Sequence, residues 1–594
     1  MKRLTTILAL LVGVGSWVTP RPAAAWDPST THVAMVQEAA VASPLHRRWM
    51  EQSGMERGLF SPLRIDPKKL SPQQRRAIKL AVRAAHAGSG ARSLGGPGAC
   101  PGPSAPPSTR ALCVEGDLWE MTALGWMKLG LIVEMTPRAR LLHHFVDRED
   151  PSSRTWSDPE LPKAVLRAKY RRGGGAFAKS VNRTAFDGQG ESAVAWLQSP
   201  DDPWAPTAVA QNLRLASTAA SASERDHHLA LALIGAGAVM HVVQDLSVPA
   251  QARGDLTAFF APLSPDRGDR GLPLQEFIRS TYGRASLPQA LALRPRVEAE
   301  EDAGPPPPLA PDLLGHVLGT ESFEGLVPFT AGRFLSESSM PAPVTVLGTP
   351  SATEAATLAL GDDHGLDPQE VDGARLSPWP ASAGYLVTST GRGLAAFEVD
   401  ELGKLQLYLD RRIYREQAAH LIPKGVEVSA SVLDILFPAF VEASHDPDAK
   451  TLEINLSEGP RQPILEVVLE DPTGFRKVHK KIKLREGESN RVADVIPKVD
   501  PDKGRVVLVL SGTRPDGTPW IAERYLERPA PPQPVPTTTP APAPKTPRPT
   551  APTKNVPQGA VPRPMTPKDP TEPPSKELRS PFEDSESESE SDSE

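Results

Sequence analysis

Residues 229–245 read LALALIGAGAVMHVVQD, and the chain runs on as LSVPAQA to Ala252. A smooth apolar run with helical character ends in one histidine and one aspartate, four positions apart. Residues at this spacing share a helix face, so His241 and Asp245 can converge on one ion. Imidazole offers a neutral nitrogen and aspartate a charged oxygen, a donor pair that suits zinc. The bare pair is ambiguous, because His–Asp at this spacing also serves as a cap or a packing contact. Beyond Pro249, Gln251 stands where a third ligand would stand.

Outward from this run, Trp26 to about Phe440 is rich in Ala and Leu. Helical periodicity recurs in 71–87, 118–132, 207–244 and 397–422, and the predicted fold class there is all-α. Two stretches interrupt it: Gly88 to Arg110, and a Pro-rich run at 302–311 followed by irregular text from about 340 to 395. Long stretches of this kind read as surface lobes or insertions. The period then changes. TLEINL (451–456), ILEVVLE (464–470), FRKVHKKIKL (475–484), RVVLVL (505–510) and WIAERYL (520–526) are short, β-branched and separated by turn text such as DPTG and RPDG. Residues 446–528 are therefore expected to form a small all-β sandwich of accessory role, with the register around Phe475 and Val478 left open. Pro529 to Glu594 is Pro/Thr-rich with an acidic end, a composition that cannot bury an apolar core and reads as a disordered tail.

The chain has 594 residues and a formal charge of −6. That balance gives no global pull toward nucleic acid or an anionic membrane surface. MKRLTTILALLVGVGSWVTPRPAAAW has a basic start, a short apolar core and small residues before Trp26. It reads as a signal peptide over 1–25, with export to a secreted, periplasmic or cell-surface location. No other apolar run is read as long enough to span a bilayer. An oxidising compartment permits a disulfide between Cys100 and Cys113; two unpaired thiols are the alternative.

Several further residues bear on a metal site. Cleavage before Trp26 would free a backbone amine and carbonyl that can bind metal. His32 follows, His143 and His144 open HHFVD (143–147), and EGDLWEM (115–121) holds Glu115, Asp117 and Glu120. His143 is a partner of the ligands or a wall residue. His227 and His228 are expected to face solvent. His420 lines the site or caps a helix end, and His316 could replace a missing ligand from a distant loop. YRRGGGA (170–176) lacks the strand and lysine of a phosphate-binding loop. RKVHKKIK (476–483) could meet anionic headgroups, against the default of a solvated sheet face.

Taken in order, Trp26, His32, the HHFVD segment, GAGAVMHVVQDLSVP (235–249) and HLIPKGVEVSASVLDILF (420–437) resemble the bacterial zinc-dependent phospholipase C family, which shares its helical fold with fungal single-strand nucleases. The resemblance is spread across one domain, 26–442. It implies one zinc held by Trp26, His32 and Asp245, and a second by His144, His241, Asp245 and an upstream acid, for which Glu120 is the candidate. Asp245 and Glu120 are then the expected catalytic carboxylates. The departures are specific. Met121 stands where the family has an aspartate, Gln251 where it has a histidine, and Leu272 leaves Glu276 without its histidine partner. One or two zinc ions are expected, with the third site lost.

The resemblance thus implies an exported zinc-dependent phosphodiesterase acting on phospholipid-type substrates, with peripheral contact to a membrane surface. A nucleic-acid substrate is disfavoured, since no basic groove interleaved with aromatics is present. The rival reading is a catalytically impaired relative acting as a secreted binding or surface protein.

Overall fold

The computed structural model describes residues 31–87, 113–256, 274, 277–278, 281 and 312–526, except 116–117, 136–137, 160, 164–187, 363, 458, 501–502 and 515–516. The helices that build the core are α1 (Thr31–Ala42), α2 (Leu45–Gln52), α3 (Pro72–Ala87), α4 (Ala123–Glu134), α5 (Pro206–Thr218), α6 (Ala222–Asp245), α7 (Pro249–Ala252) and α8 (Arg411–Leu436). Helix α6 is the axis. Ser221 caps it, its hydroxyl accepting from the Glu224 amide at 3.2 Å. From Ala230 to Asp245 every residue is buried, which is what a helix without a polar stripe requires. This helix does reach spanning length and apolarity, contrary to the expectation that no internal run would, but 83% of its apolar window is buried against the chain's own side chains.

Helix α4 crosses α6 at backbone contact. A Cβ on Gly130 would meet the Ile234 carbonyl oxygen at 2.0 Å, and one on Gly237 would meet that of Met127 at 2.0 Å. The small residues of IGAGA thus let two main chains touch where side chains would hold them apart. Trp126, Met127, Ile132, Ile234 and Val239 fill the core around the crossing.

The all-α expectation is overturned: the architecture is mixed α and β. The helical region carries a three-stranded sheet ordered β1 (Pro62–Ile65), β3 (Leu118–Thr122), β2 (Cys113–Glu115), and a hairpin of β4 (Thr155–Ser157) with β5 (Gln189–Glu191). A five-stranded antiparallel sheet is built from β6 (Val344–Thr345), β7 (Arg375–Ser377), β8 (Ala383–Val387), β9 (Gly393–Val399) and β10 (Lys404–Tyr408). Its physical signature was weak. Strand β9, GLAAFEV, is buried at five successive positions, so period-two alternation is absent, and Ala and Gly are poor strand markers. The text between 340 and 395, expected to be irregular, thus contains the strands β6, β7, β8 and the start of β9, as well as two short helices. The segment 397–422 divides between the end of β9, all of β10 and the start of α8, which Asp410 caps by accepting from the Arg412 and Ile413 amides at 2.9 Å. Likewise 118–132 opens as strand β3 before Thr122 caps α4 through the Gly125 amide at 3.0 Å.

Nor is the C-terminal part a separate accessory sandwich. Strands β11 (Ala443–Asp446), β12 (Thr451–Asn455) and β15 (Ser489–Ala493) form one sheet. Strands β14 (Arg476–Lys483), β13 (Arg461–Glu470), β16 (Arg505–Thr513) and β17 (Pro519–Tyr525) form another, ordered as written. The register of β14 against β13 shifts between Val467 and Val468, which places Val478 opposite Val468 and explains the broken alternation of its sequence. Leu452, Leu465, Val467 and Leu508 lie in the core these sheets share.

The second sheet is tied to the helices by a buried ion network. Glu470 accepts from Arg476 Nε at 2.6 Å and from Arg225 on α6 at 2.7 Å, while Arg476 donates to the Ser217 carbonyl on α5 at 3.1 Å. Burial would raise the Glu470 pKa, but Arg476 and Arg225 outweigh it and hold it below the usual carboxylate range. A depressed acid contributes stability above its unfolded value and loses it as pH falls through the lower folded value. Glu470→Gln is therefore expected to cost about 3–5 kcal/mol at pH 7. The difference should shrink on acidification below about pH 4, read as denaturation midpoints of both proteins across pH.

Candidate metal centre

Helix α6 ends in the cluster, and its neighbours close around it. His241 and Asp245 come from the last turn of α6, and His32 from the first turn of α1. His144 ends a short 3-10 helix, Arg138–His144. Glu134 ends α4, and all five side chains have 0% exposure. The register of α1 against α8 brings His32 in: Met35 and Ser247 pack where Gly425 of α8 has no side chain, a Cβ there meeting Met35 Cε at 2.5 Å and Ser247 Oγ at 3.1 Å.

Asp245 is the hub. Its Oδ1 lies 3.0 Å from His32 Nε2, and its Oδ2 lies 2.6 Å from His144 Nδ1 and 3.4 Å from His241 Nε2. The His32 and His241 rings stack with centroids 4.0 Å apart. One ligand atom each from His32, His241 and Asp245 lie within 4.8 Å of one another. His32 Nε2 and both ring nitrogens of His241 make no hydrogen bond. Buried nitrogens are rarely left so, and a metal ion would use those lone pairs. His32, His241 and Asp245 thus form a buried cluster able to hold a metal ion.

The proton positions follow from the surroundings. The Gln244 Nε2 amide donates to Ser429 Oγ at 3.1 Å, and Ser429 donates in turn to the Gly425 carbonyl at 2.6 Å. That orients the amide so that Gln244 Oε1 faces His32 Nδ1 at 2.7 Å. His32 therefore carries its proton on Nδ1 and keeps the Nε2 lone pair for the cluster, the outer-partner arrangement of metal-binding histidines. Burial lowers the His241 pKa to about 4, with His32 adding to it, so this ring is a neutral donor. Burial would lower His144 too, but the hydrogen bonds to Asp245 and Glu134 outweigh it and lift it to about 9. Burial would raise Asp245; His241, His32 and the His144 hydrogen bond hold it well below its ordinary value. The carboxylate stays ionised against the desolvation cost of its site.

Sequence reading missed Glu134. Its Oε1 lies 3.5 Å from His144 Nε2. Both of its oxygens are gripped by Arg140, at 3.0 Å from Nε and 2.7 Å from Nη2, and Arg140 is held in turn by Asp202 at 2.8 Å. The upstream acid facing His144 is thus Glu134. Glu120, the acid chosen from sequence, sits on β3 with its carboxylate on Arg64. The only available signal was a lone Glu at the end of the apolar segment LGLIVE, indistinguishable there from an exposed helix end.

The remaining expected residues fall as follows. Trp26 and Glu276, expected as ligands, lie outside the described residues, as do Leu272, YRRGGGA and Cys100, the first half of the proposed disulfide. Met121 is core, 1% exposed. Gln251 is buried with Oε1 unbonded. His143 faces Glu191 at 3.9 Å rather than the cluster. His316 packs on Phe323 and bonds the Asp312 carbonyl at 3.0 Å, away from the cluster's contacts. His420 lies along Phe334. His227 is buried, not solvent-facing, because its Nδ1 accepts from the Asp66 amide at 3.3 Å.

Removing the outer partner alone has a defined consequence. Gln244→Ala is expected to leave the number of bound ions unchanged but weaken affinity about 10–100-fold, measured by chelator competition. Compared with protein-family models, with curated proteins and with solved structures, the chain matches none.

Proposed function

We propose that this chain is an exported zinc-dependent phosphodiesterase, resembling phospholipase C, that acts on phospholipid-type phosphodiesters. The observation that carries the reading is the Asp245 hub: three buried histidines and a second buried carboxylate around one ionised aspartate, with ring nitrogens that no protein group satisfies. An imidazole and carboxylate set of this kind matches zinc better than calcium or magnesium, which take mainly oxygen. When bound, zinc supplies Lewis-acid polarisation of a phosphoryl oxygen and makes water acidic enough to react near neutral pH.

The chain's own residues set up the rest. Gln244 keeps the His32 proton off the metal-facing nitrogen. Asp245 spans His32 and His144 with its two oxygens, so one carboxylate serves two ligand sets. Glu134, fixed by Arg140, presents its Oε1 to His144 Nε2. Trp26 and Glu276 join as further ligands in this reading, and one or two ions are held.

A second reading rests on a specific observation. All the cluster residues are sealed from solvent, and Gln251, whose side-chain oxygen is unbonded, stands in place of a histidine. Both features suit a metal that holds the fold of a secreted binding protein. The deciding experiment loads the purified mature chain with zinc and assays phosphatidylcholine vesicles, a chromogenic phosphodiester and single-stranded DNA. Lipid or phosphodiester turnover that His241→Ala abolishes supports the enzyme. Stoichiometric zinc without turnover on any substrate supports the second reading, and turnover confined to DNA replaces the proposed substrate.

A further inference from the structure

At one end of the five-stranded sheet, two leucines stand in solvent side by side. Leu347 is 83% exposed and Leu402 85%, the highest values of any large apolar side chain among the described residues. They belong to separate loops, one leaving β6 and one joining β9 to β10. Antiparallel pairing of β6 with β10 sets Thr345 against Lys404, and the Val346 amide donates to the Gly403 carbonyl at 3.0 Å. One step further in that register, Leu347 stands beside Leu402 at a shared tip.

Local contacts hold this tip in place. Asp400 closes the turn between β9 and β10, its Oδ1 accepting from the Leu402 amide at 2.9 Å and the Lys404 amide at 2.8 Å. Trp379 fixes the other loop. Its indole N–H donates to the Pro350 carbonyl at 2.9 Å, and its ring packs against Phe397 with centroids 6.1 Å apart. Gly348 and Gly403 both have a φ of +75°, where a side chain is strained, and a Cβ on Gly348 would meet nothing within 4 Å. The first loop therefore juts into open space, and the second is paired to it. Their geometry keeps two apolar side chains in water against the hydrophobic effect.

We propose that this tip inserts into the interface of a zwitterionic phospholipid bilayer, with Leu347 and Leu402 as its apolar anchors. Area argues against a protein partner or a second copy of the chain. Two leucine side chains offer roughly 300 Å², well short of the ~800 Å² that each side of a stable protein interface buries. Shape argues the same way, because a bilayer yields around a protrusion whereas a protein must supply a matching pocket. Charge selects the lipid. Across 344–354 and 399–405 the charged residues are Glu354, Asp400, Glu401 and Lys404, a net −2, which an anionic surface repels. Exposed Lys404 keeps its ammonium at headgroup level when the leucines are inserted. The contact requires neither metal nor turnover and so stands apart from the phosphodiesterase reading, although a phospholipid substrate would be met at this same interface.

The test is co-sedimentation of the full chain with phosphatidylcholine vesicles, repeated with phosphatidylserine mixed in. Two anchors of this size give weak, reversible binding, so half the protein should sediment at millimolar phosphatidylcholine. Phosphatidylserine at low salt should reduce that fraction. Leu347→Ser and Leu402→Ser should each weaken binding about tenfold, the scale of burying one such side chain, and the double variant should stay in the supernatant. Both positions are exposed, so the denaturation midpoint should not move. No sedimentation with phosphatidylcholine, binding that needs phosphatidylserine, or undiminished binding of the double variant overturns the proposal. So do dimers of the unaltered chain that the double variant abolishes, which would make the tip a contact between copies. Turnover of a soluble chromogenic phosphodiester is the separate check. A chain that binds vesicles through the two leucines but hydrolyses nothing fails the phosphodiesterase reading and supports this one.

Discussion

Under the proposed zinc reading, Asp245→Asn protein is expected to lose tight zinc binding altogether while keeping its side-chain volume. Among the described residues, Asp245 is the carboxylate that touches His32, His144 and His241 together. Removing its charge takes a ligand from each ion it serves, so the loss should exceed the upper bound of about 100-fold seen for outer partners. It also leaves three stacked or edge-packed imidazoles without their anion in a site at 0% exposure. The check is elemental mass spectrometry after dialysis, alongside the Gln244→Ala protein, which should retain its ions in weakened form. Unchanged zinc content in Asp245→Asn would move the metal to other ligands and remove the basis of the proposed function.

Gly237→Ala should be, with Gly130→Ala, among the most destabilising single-methyl changes in the helical core. The new Cβ would sit 2.0 Å from the Met127 carbonyl oxygen and 3.0 Å from Gly130 Cα. Neither is a flexible side-chain end that can swing away, so α4 and α6 must separate along their buried length. Overpacking of a filled core costs about 1–3 kcal/mol or more, and a backbone obstacle belongs at or above that upper end. Because Glu134 ends α4 and His241 lies one turn beyond Gly237, the separation should also pull Glu134 from His144. Chemical denaturation and zinc affinity of the same variant should therefore fall together. Gly235→Ala is the milder control, since its Cβ meets the Val209 Cγ2 methyl at 2.7 Å, a side chain that can give way.

Much of the metal cluster was legible because its information is local. His241 and Asp245 lie one helical turn apart on a helix that its own apolar run announces, and helix geometry alone puts them on one face. His32 and His144 were found through the order of motifs along the chain, and both stand at Asp245. The position of α3, the strands after Thr451 and the helical character of 207–244, though not its division into α5 and α6, were readable for the same reason: period and turn chemistry are properties of short windows.

What the amino-acid sequence determined on its own was thus the central helix, its terminal ligand pair and the change of period near residue 440. Three things were decided only in three dimensions. The five-stranded sheet of 344–408 hides in Ala- and Gly-rich strands that are buried without alternation, so only pairing between distant segments reveals it. Glu134 became the acid at His144 because Arg140 and Asp202 offset the cost of burying it, a balance no single window contains. The C-terminal sheets were joined to the helices by Glu470, which gathers Arg225, Arg476 and Arg505 from three elements. Each of these is a long-range contact whose free energy depends on desolvation and packing in the closed structure, and none is written in the residues until the chain has folded around them.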